Sequence, residues 1–184
     1  MRVRTKGGRE SLAGSLLLAH PGLRDPNFRR SVVLMTTDNE DGSMGMVLNR
    51  PLDKRLGDLG GDFVLGPLAS VPIFSGGPVQ TEQLILVAWQ RRPNGFQLHM
   101  GVEPEKAASL LAEGDARVRA YFGYAGWGSG QLKKELELHT WIIADAPPDL
   151  FARPGDKSLW RTVLSAEGDE WRLLAAEPED PAEN

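Results

Sequence analysis

Tyr121-Phe-Gly-Tyr-Ala-Gly-Trp-Gly-Ser-Gly-Gln-Leu-Lys-Lys-Glu-Leu-Glu-Leu-His-Thr-Trp141 is the most informative stretch of the chain. Four glycines, Gly123, Gly126, Gly128 and Gly130, fall within eight residues, between a strand-like run and a helix-like run. Glycines at this density mark backbone that takes positive φ or comes close to another group. Gln131 to His139 reads as a helix. Ser129 is placed to cap it, accepting from the free N–H groups of the first turn. A glycine-rich turn that leads into a helix N-terminus also presents N–H groups to an anion. Gly128 is expected to be crowded or strained, so valine there would cost about 1–3 kcal/mol.

Outward from this stretch, the pattern predicts an early cluster of strands and later helices. Arg117 to Tyr124 alternates as a strand does, and Thr140 to Ala144 is another. Leu16 to Ala19 is a short buried strand. Ser31 to Thr37 is β-branched and strand-like, Asp38-Asn-Glu-Asp-Gly42 is a polar turn, and Met44 to Asn49 returns as the second arm of a hairpin. Leu52 to Leu59 reads as a short helix closed by Gly60-Gly61. Val71 to Phe74 is a strand broken by Gly76-Gly77-Pro78. Leu84 to Trp89 and Phe96 to Met100 form a second hairpin. Pro104 to Glu113 is a helix that starts on proline and stops at Gly114. Lys157 to Ala166 is the last helix, with Leu159, Trp160, Val163 and Leu164 on its apolar face. This order implies an α+β domain and not a strict βαβ alternation.

Composition narrows the function. The chain has 184 residues, 41% hydrophobic and 25% charged, which suits one soluble globular domain. With no cysteine it has no disulfide, thiol nucleophile or Cys-ligated metal, and it fits a reducing cytoplasm. A net charge of −4 argues against binding nucleic acid through bulk charge. Residues 1–10 read as a basic tail and 177–184 as an acidic one, with a single domain over 11–176 between them. Leu12 to Ala19 follows basic residues as a signal peptide would. It is short, contains Gly14 and Ser15, and lacks a small-x-small cleavage site, so it reads as the first strand. No run reaches the ~20 apolar residues of a membrane helix.

Four chemistries are open to the motifs. Ser129 lies in Gly-Ser-Gly, but a nucleophile elbow needs glycine at 127, where Trp127 stands. Glu135 and His139 are four apart on one predicted helix face, yet no His-Glu-x-x-His or other ligand spacing occurs. Neither Walker A nor G-x-G-x-x-G is present, so anion binding would rest on the 126–130 glycines, with Arg50 as a partner if the fold brings it near. Those glycines equally suit close strand-to-helix packing with Trp127 in the core. Trp171 is expected to pin the C-terminal segment or to meet a partner.

Four segments in order resemble the AlgH/YqgE family of bacterial proteins. They are Gly14 to Phe28 running into Arg30-Ser-Val-Val-Leu-Met35, Gly42-Ser-Met-Gly-Met-Val-Leu-Asn-Arg-Pro51, Ser75-Gly-Gly-Pro-Val79, and the 121–141 stretch. The resemblance implies a mixed, strongly bent sheet, part of it barrel-like, surrounded by helices. It also implies a regulatory label, tied to alginate synthesis, that names an effect on expression and not a chemistry.

The resulting expectation is a cytoplasmic, non-enzymatic protein that binds a small anionic ligand or a protein partner and regulates indirectly. The alternative is an enzyme acting on a small anionic substrate at the 123–130 turn. Direct, specific DNA binding is a weaker third. Candidate ligand-binding residues are Asn49, Arg50, Gly76, Gly77, Gly126, Trp127, Gly128, Ser129, Gly130 and Gln131. No catalytic residue, metal ligand, cofactor or membrane contact is assigned.

Overall fold

A computed structural model describes residues 11–93 and 95–177. The expected tails, 1–10 and 177–184, lie outside these residues except for Glu177.

The chain forms a mixed α+β domain. Its strands are β1 (Ser15–Ala19), β2 (Val32–Asn39), β3 (Gly42–Val47), β4 (Pro51–Arg55), β5 (Pro72–Ser75), β6 (Val79–Arg92), β7 (Gly95–Met100), β8 (Ala116–Gly128) and β9 (Trp141–Asp145). The helices are α1 (Pro104–Ala112), α2 (Gln131–Glu137), α3 (Ser158–Ser165) and α4 (Asp169–Ala175). The sheet runs β4-β5-β8-β3-β2-β1-β9, with β6 pairing β8 and carrying β7. It does not close on itself. All its pairings are antiparallel except β5 with β8.

β8 joins two halves. Its first part, from Ala116, pairs with β6 and β5. Its last part, Ala125 to Gly128, pairs with Gly45 to Gly42 of β3. In the half built on β1, β2 and β3, alternate residues feed two cores. Leu16, Leu18, Val32 and Leu34 join Trp160, Val163 and Leu164 of α3. Leu17, Ala19, Val33 and Met35 join Trp127, Leu132 and Trp141. Burial on both faces explains why β1 reads as an unbroken apolar run. A third core lies under α1, around Leu56, Ile73, Leu86, Leu110 and Val118.

Both expected hairpins form, β2–β3 and β6–β7, and α1 and α3 fall where the sequence places them. Leu52 to Leu59 is not one helix. It splits into β4 and a 3-10 turn, Leu56–Leu59, because Pro51 and Arg55 pair with Phe74 and Pro72 of β5. The sequence also missed α4, on which half-buried Trp171 packs against the α3 core and meets the His20 ring edge-on at 5.8 Å.

Candidate functional site

The glycine-rich stretch is engaged in the fold. Gly126 and Gly128 belong to β8, on its exposed side, alternating with buried Ala125 and Trp127. The nearest atom to a Cβ at Gly128 would be Gln131 Oε1, 4.0 Å away, so the expected crowding there is absent. Its φ also lies outside the positive region. Ser129 does not cap α2. The N-cap is Gly130, left-handed at φ 72°, and the Ser129 hydroxyl donates instead to Glu40 O at 2.7 Å, tying this turn to the β2–β3 turn.

No side chain caps α2, and Gln131, its first residue, ties the turn to the helix instead. Its Oε1 accepts from the Gly128 N–H at 3.1 Å, and its Nε2 donates to Glu135 Oε1 at 2.9 Å. The other Glu135 oxygen accepts from two indoles, Trp127 at 2.9 Å and Trp141 at 2.8 Å. Phe28 stacks on Trp127 and meets Trp141 edge-on. Glu135 therefore serves the aromatic cluster and not a metal shared with His139, which lies beyond α2. Among the described residues no group of three or more His, Asp or Glu side chains is arranged to hold a metal ion. The depression beside Gly126 and Trp127 is shallow, and the charged side chain in its lining is the Asp41 carboxylate, which repels an anion.

Gly76 and Gly77 behave differently. A Cβ at Gly76 would strike Gly123 O and the Met46 sulfur, and one at Gly77 would strike the Tyr124 backbone. Gly77 sits at φ 147°, and Gly123, opposite, at 71°. Close backbone approach is thus real, at this crossing of two segments and not at 126–130. Arg50 lies on this side of the molecule, since Ser75 N–H donates to Arg50 O at 2.8 Å. Met44 is the residue paired with Gly126, and Arg50 is six residues further along, about 20 Å at extended spacing. The candidate set is therefore spread out, with Asn49 and Arg50 at one end, Gly128 to Gln131 at the other, and Gly76 and Gly77 between them, joined to Arg50 through Ser75 and packed against Tyr124 and Ala125.

Around Arg50 a cleft of about 780 Å³ opens between the end of the β2–β3 hairpin and α3. Arg29, Arg30, Arg50, Lys157 and Arg161 line it, against the carboxylates of Asp53 and Asp156. The hairpin register makes this convergence. Val33 pairs with Val47, so residues just before β2 and just after β3 come together. Asn49 locks the junction. It is fully buried, its Oδ1 accepts from Val32 N–H and its Nδ2 donates to Arg30 O, both at 2.9 Å. Arg50 donates to Asn49 O and to Arg29 O. Arg30 lies over the Trp160 ring at 5.1 Å and donates to Glu177 O.

The α3 wall is held from the other side. Buried Arg119 of β8 packs against the rings of Phe74 and Phe151 and donates to Arg153 O at 2.9 Å, fixing the segment that delivers Asp156 and Lys157. Asp156 is engaged by the Ser158 hydroxyl and N–H, and these bonds lower its pKa below the usual carboxylate range. Arg29, Arg30, Lys157 and Arg161 were not singled out from sequence. The hairpin register brings 29–30 to 49–50, and positions 157 and 161 share a helix face.

Fold and sequence together place the chain. The AlgH-like family model, DUF179, matches residues 16–172, and the chain belongs to that family. A UPF0301 protein of Streptomyces coelicolor is 38% identical over 187 residues, covering 95% of this chain and 96% of the relative. One from Thermobifida fusca is 34% identical over 197 residues, covering 96% and 97%. The solution structure of the AlgH protein from Pseudomonas aeruginosa matches with a TM-score of 0.67 and 27% identity, over 98% of this chain and 100% of that one. A Corynebacterium diphtheriae protein shares the fold at a TM-score of 0.73 and 23% identity, over 89% and 91% of the chains. Among the described residues no helix is long and apolar enough to cross a membrane.

Proposed function

We propose that this protein is a cytoplasmic, non-enzymatic binder of a small anionic ligand, and that ligand occupancy gives it an indirect regulatory role. The carrying observation is the convergence of five basic side chains on one cleft in a chain whose net charge is −4. Five bases against the two carboxylates of Asp53 and Asp156 leave the cleft with an excess of positive charge, and such an excess between low-dielectric walls concentrates anions. Its volume lies within the roughly 300–1,000 Å³ typical of small-ligand sites. Four of the five bases are arginines, whose planar forks suit phosphate and carboxylate oxygens. The 123–130 turn offers no comparable place for an anionic substrate, because Gly128 N–H and the Gln131 amide are committed to α2. A concave site of this size holds a small molecule, while the acidic remainder of the chain disfavours a nucleic-acid duplex.

Calorimetric titration with inorganic pyrophosphate tests this. The wild type should bind, and Lys157→Glu combined with Arg161→Glu should weaken binding by about tenfold or more, or roughly 1.4 kcal/mol. Near-UV circular dichroism checks that the variant is folded. Equal affinity in the folded variant overturns the reading, as does a nanomolar specific complex with duplex DNA at physiological salt.

A further inference from the structure

The basic cleft has a neighbour. A smaller cavity of about 190 Å³ adjoins it, lined by Asn27, Arg50, Ser75, Gly77 and Thr81 among others. Pro26 and Arg50 line both spaces and form the wall between them. The two differ in chemistry. The larger holds five basic side chains and two carboxylates, a net excess of positive charge. The smaller has Arg50 as its charged lining residue, together with one amide and two hydroxyls. At its size the smaller space falls below the roughly 300 Å³ of a complete ligand site, so it suits one part of a ligand.

From this juxtaposition we infer that the ligand is a soluble phosphomonoester of a small polyhydroxylated compound, with its phosphate in the arginine cleft and its hydroxyls in the adjoining cavity. The inference rests on the reading of the cleft as an anion site. Two considerations select the class. A phosphomonoester carries roughly 1.5–2 negative charges near neutral pH and three strong acceptor oxygens. It therefore satisfies a strongly basic cleft better than a monocarboxylate, and it matches arginine forks. An amide and hydroxyls both donate and accept, so they complement sugar-like hydroxyls, and a site built on such bonds discriminates against a ligand that lacks them. Arg50, at the wall, is placed to meet the ester end of the phosphate.

The test compares inorganic phosphate with glycerol 3-phosphate and ribose 5-phosphate by calorimetry, on the wild type and on Asn27→Leu combined with Thr81→Val. These two positions are exposed, which limits damage to the fold. At least one polyol phosphate should bind about tenfold tighter than inorganic phosphate. The double variant should lose that advantage and keep its phosphate affinity within about twofold. If phosphate binds but no polyol phosphate binds better, the inference fails and the anion cleft stands. If neither phosphate nor pyrophosphate binds, both readings fail. Binding to phosphatidylglycerol vesicles without binding to the free compounds would assign the chemistry to a lipid headgroup and overturn the soluble ligand.

Discussion

Two glycine clusters look alike in the sequence and do opposite things in the fold. Gly76 and Gly77 stand where one segment of the chain crosses another, with Gly123 and Tyr124 occupying the space that a side chain would need. Gly126 and Gly128 stand on the open side of a strand, and the surroundings of Gly128 would accept a methyl group. Density of glycine therefore does not report backbone constraint. The partner across the gap decides, and a sequence shows only one side of that gap.

The sharpest test of the contrast is Gly77→Ala. It forces a non-glycine residue to φ 147° and drives its Cβ into the Tyr124 backbone. Strain and overpacking together should cost about 3 kcal/mol or more, read as a shift in the urea midpoint with an unchanged slope. A loss below about 1 kcal/mol would break the comparison at its strong end.

An intermediate loss is expected at Glu135, which gives the weakly constrained cluster its purpose. Glu135→Leu leaves the indole N–H groups of Trp127 and Trp141 without their acceptor. The cost should be about 2 kcal/mol, and Glu135→Gln, which retains one acceptor oxygen, should cost less. Equal losses in the two variants would show that the side chain acts by packing alone.

The smallest effects belong to Gly128→Ala and Ser129→Ala. Each should stay within about 0.5–1 kcal/mol, since one meets open space and the other gives up one exposed hydrogen bond. Thermal melts of the two proteins against Gly77→Ala place all three on one scale. A loss at Gly128 as large as that at Gly77 would erase the distinction.

The same contrast explains what the sequence made legible. Elements with a buried stripe were readable: the β2–β3 hairpin, α1, and α3 with its Leu159, Trp160, Val163 and Leu164. Elements without one were not. All five residues of β4 are exposed, so it carries no alternation. The first part of β6 is polar and bulged between Val79 and Leu84, so only its apolar middle stood out. β8 runs on through Gly126 and Gly128 because alternate residues, Ala125 and Trp127, are buried, and glycines on the open side disguised that alternation as a turn. Of the candidate site, Arg50 and Asn49 were in view, Asn49 as an inward clamp. The remaining cations needed the pairing of β2 with β3 and the placement of α3, which are long-range facts.

The position of β9 has a consequence for how the protein is made. β1, whose five residues are all buried, pairs with β2 on one side and with β9 on the other. About 120 residues separate Ala19 from Trp141, which a ribosome adding roughly 5–20 residues per second takes about 6–24 s to supply. Throughout that interval one edge of the most apolar strand has no partner within the nascent chain. Such an edge invites pairing with other chains. Completion of the sheet thus waits on the last strand synthesised among the described residues, and vectorial synthesis, more than the equilibrium stability of the finished domain, sets when this protein most needs protection from its neighbours.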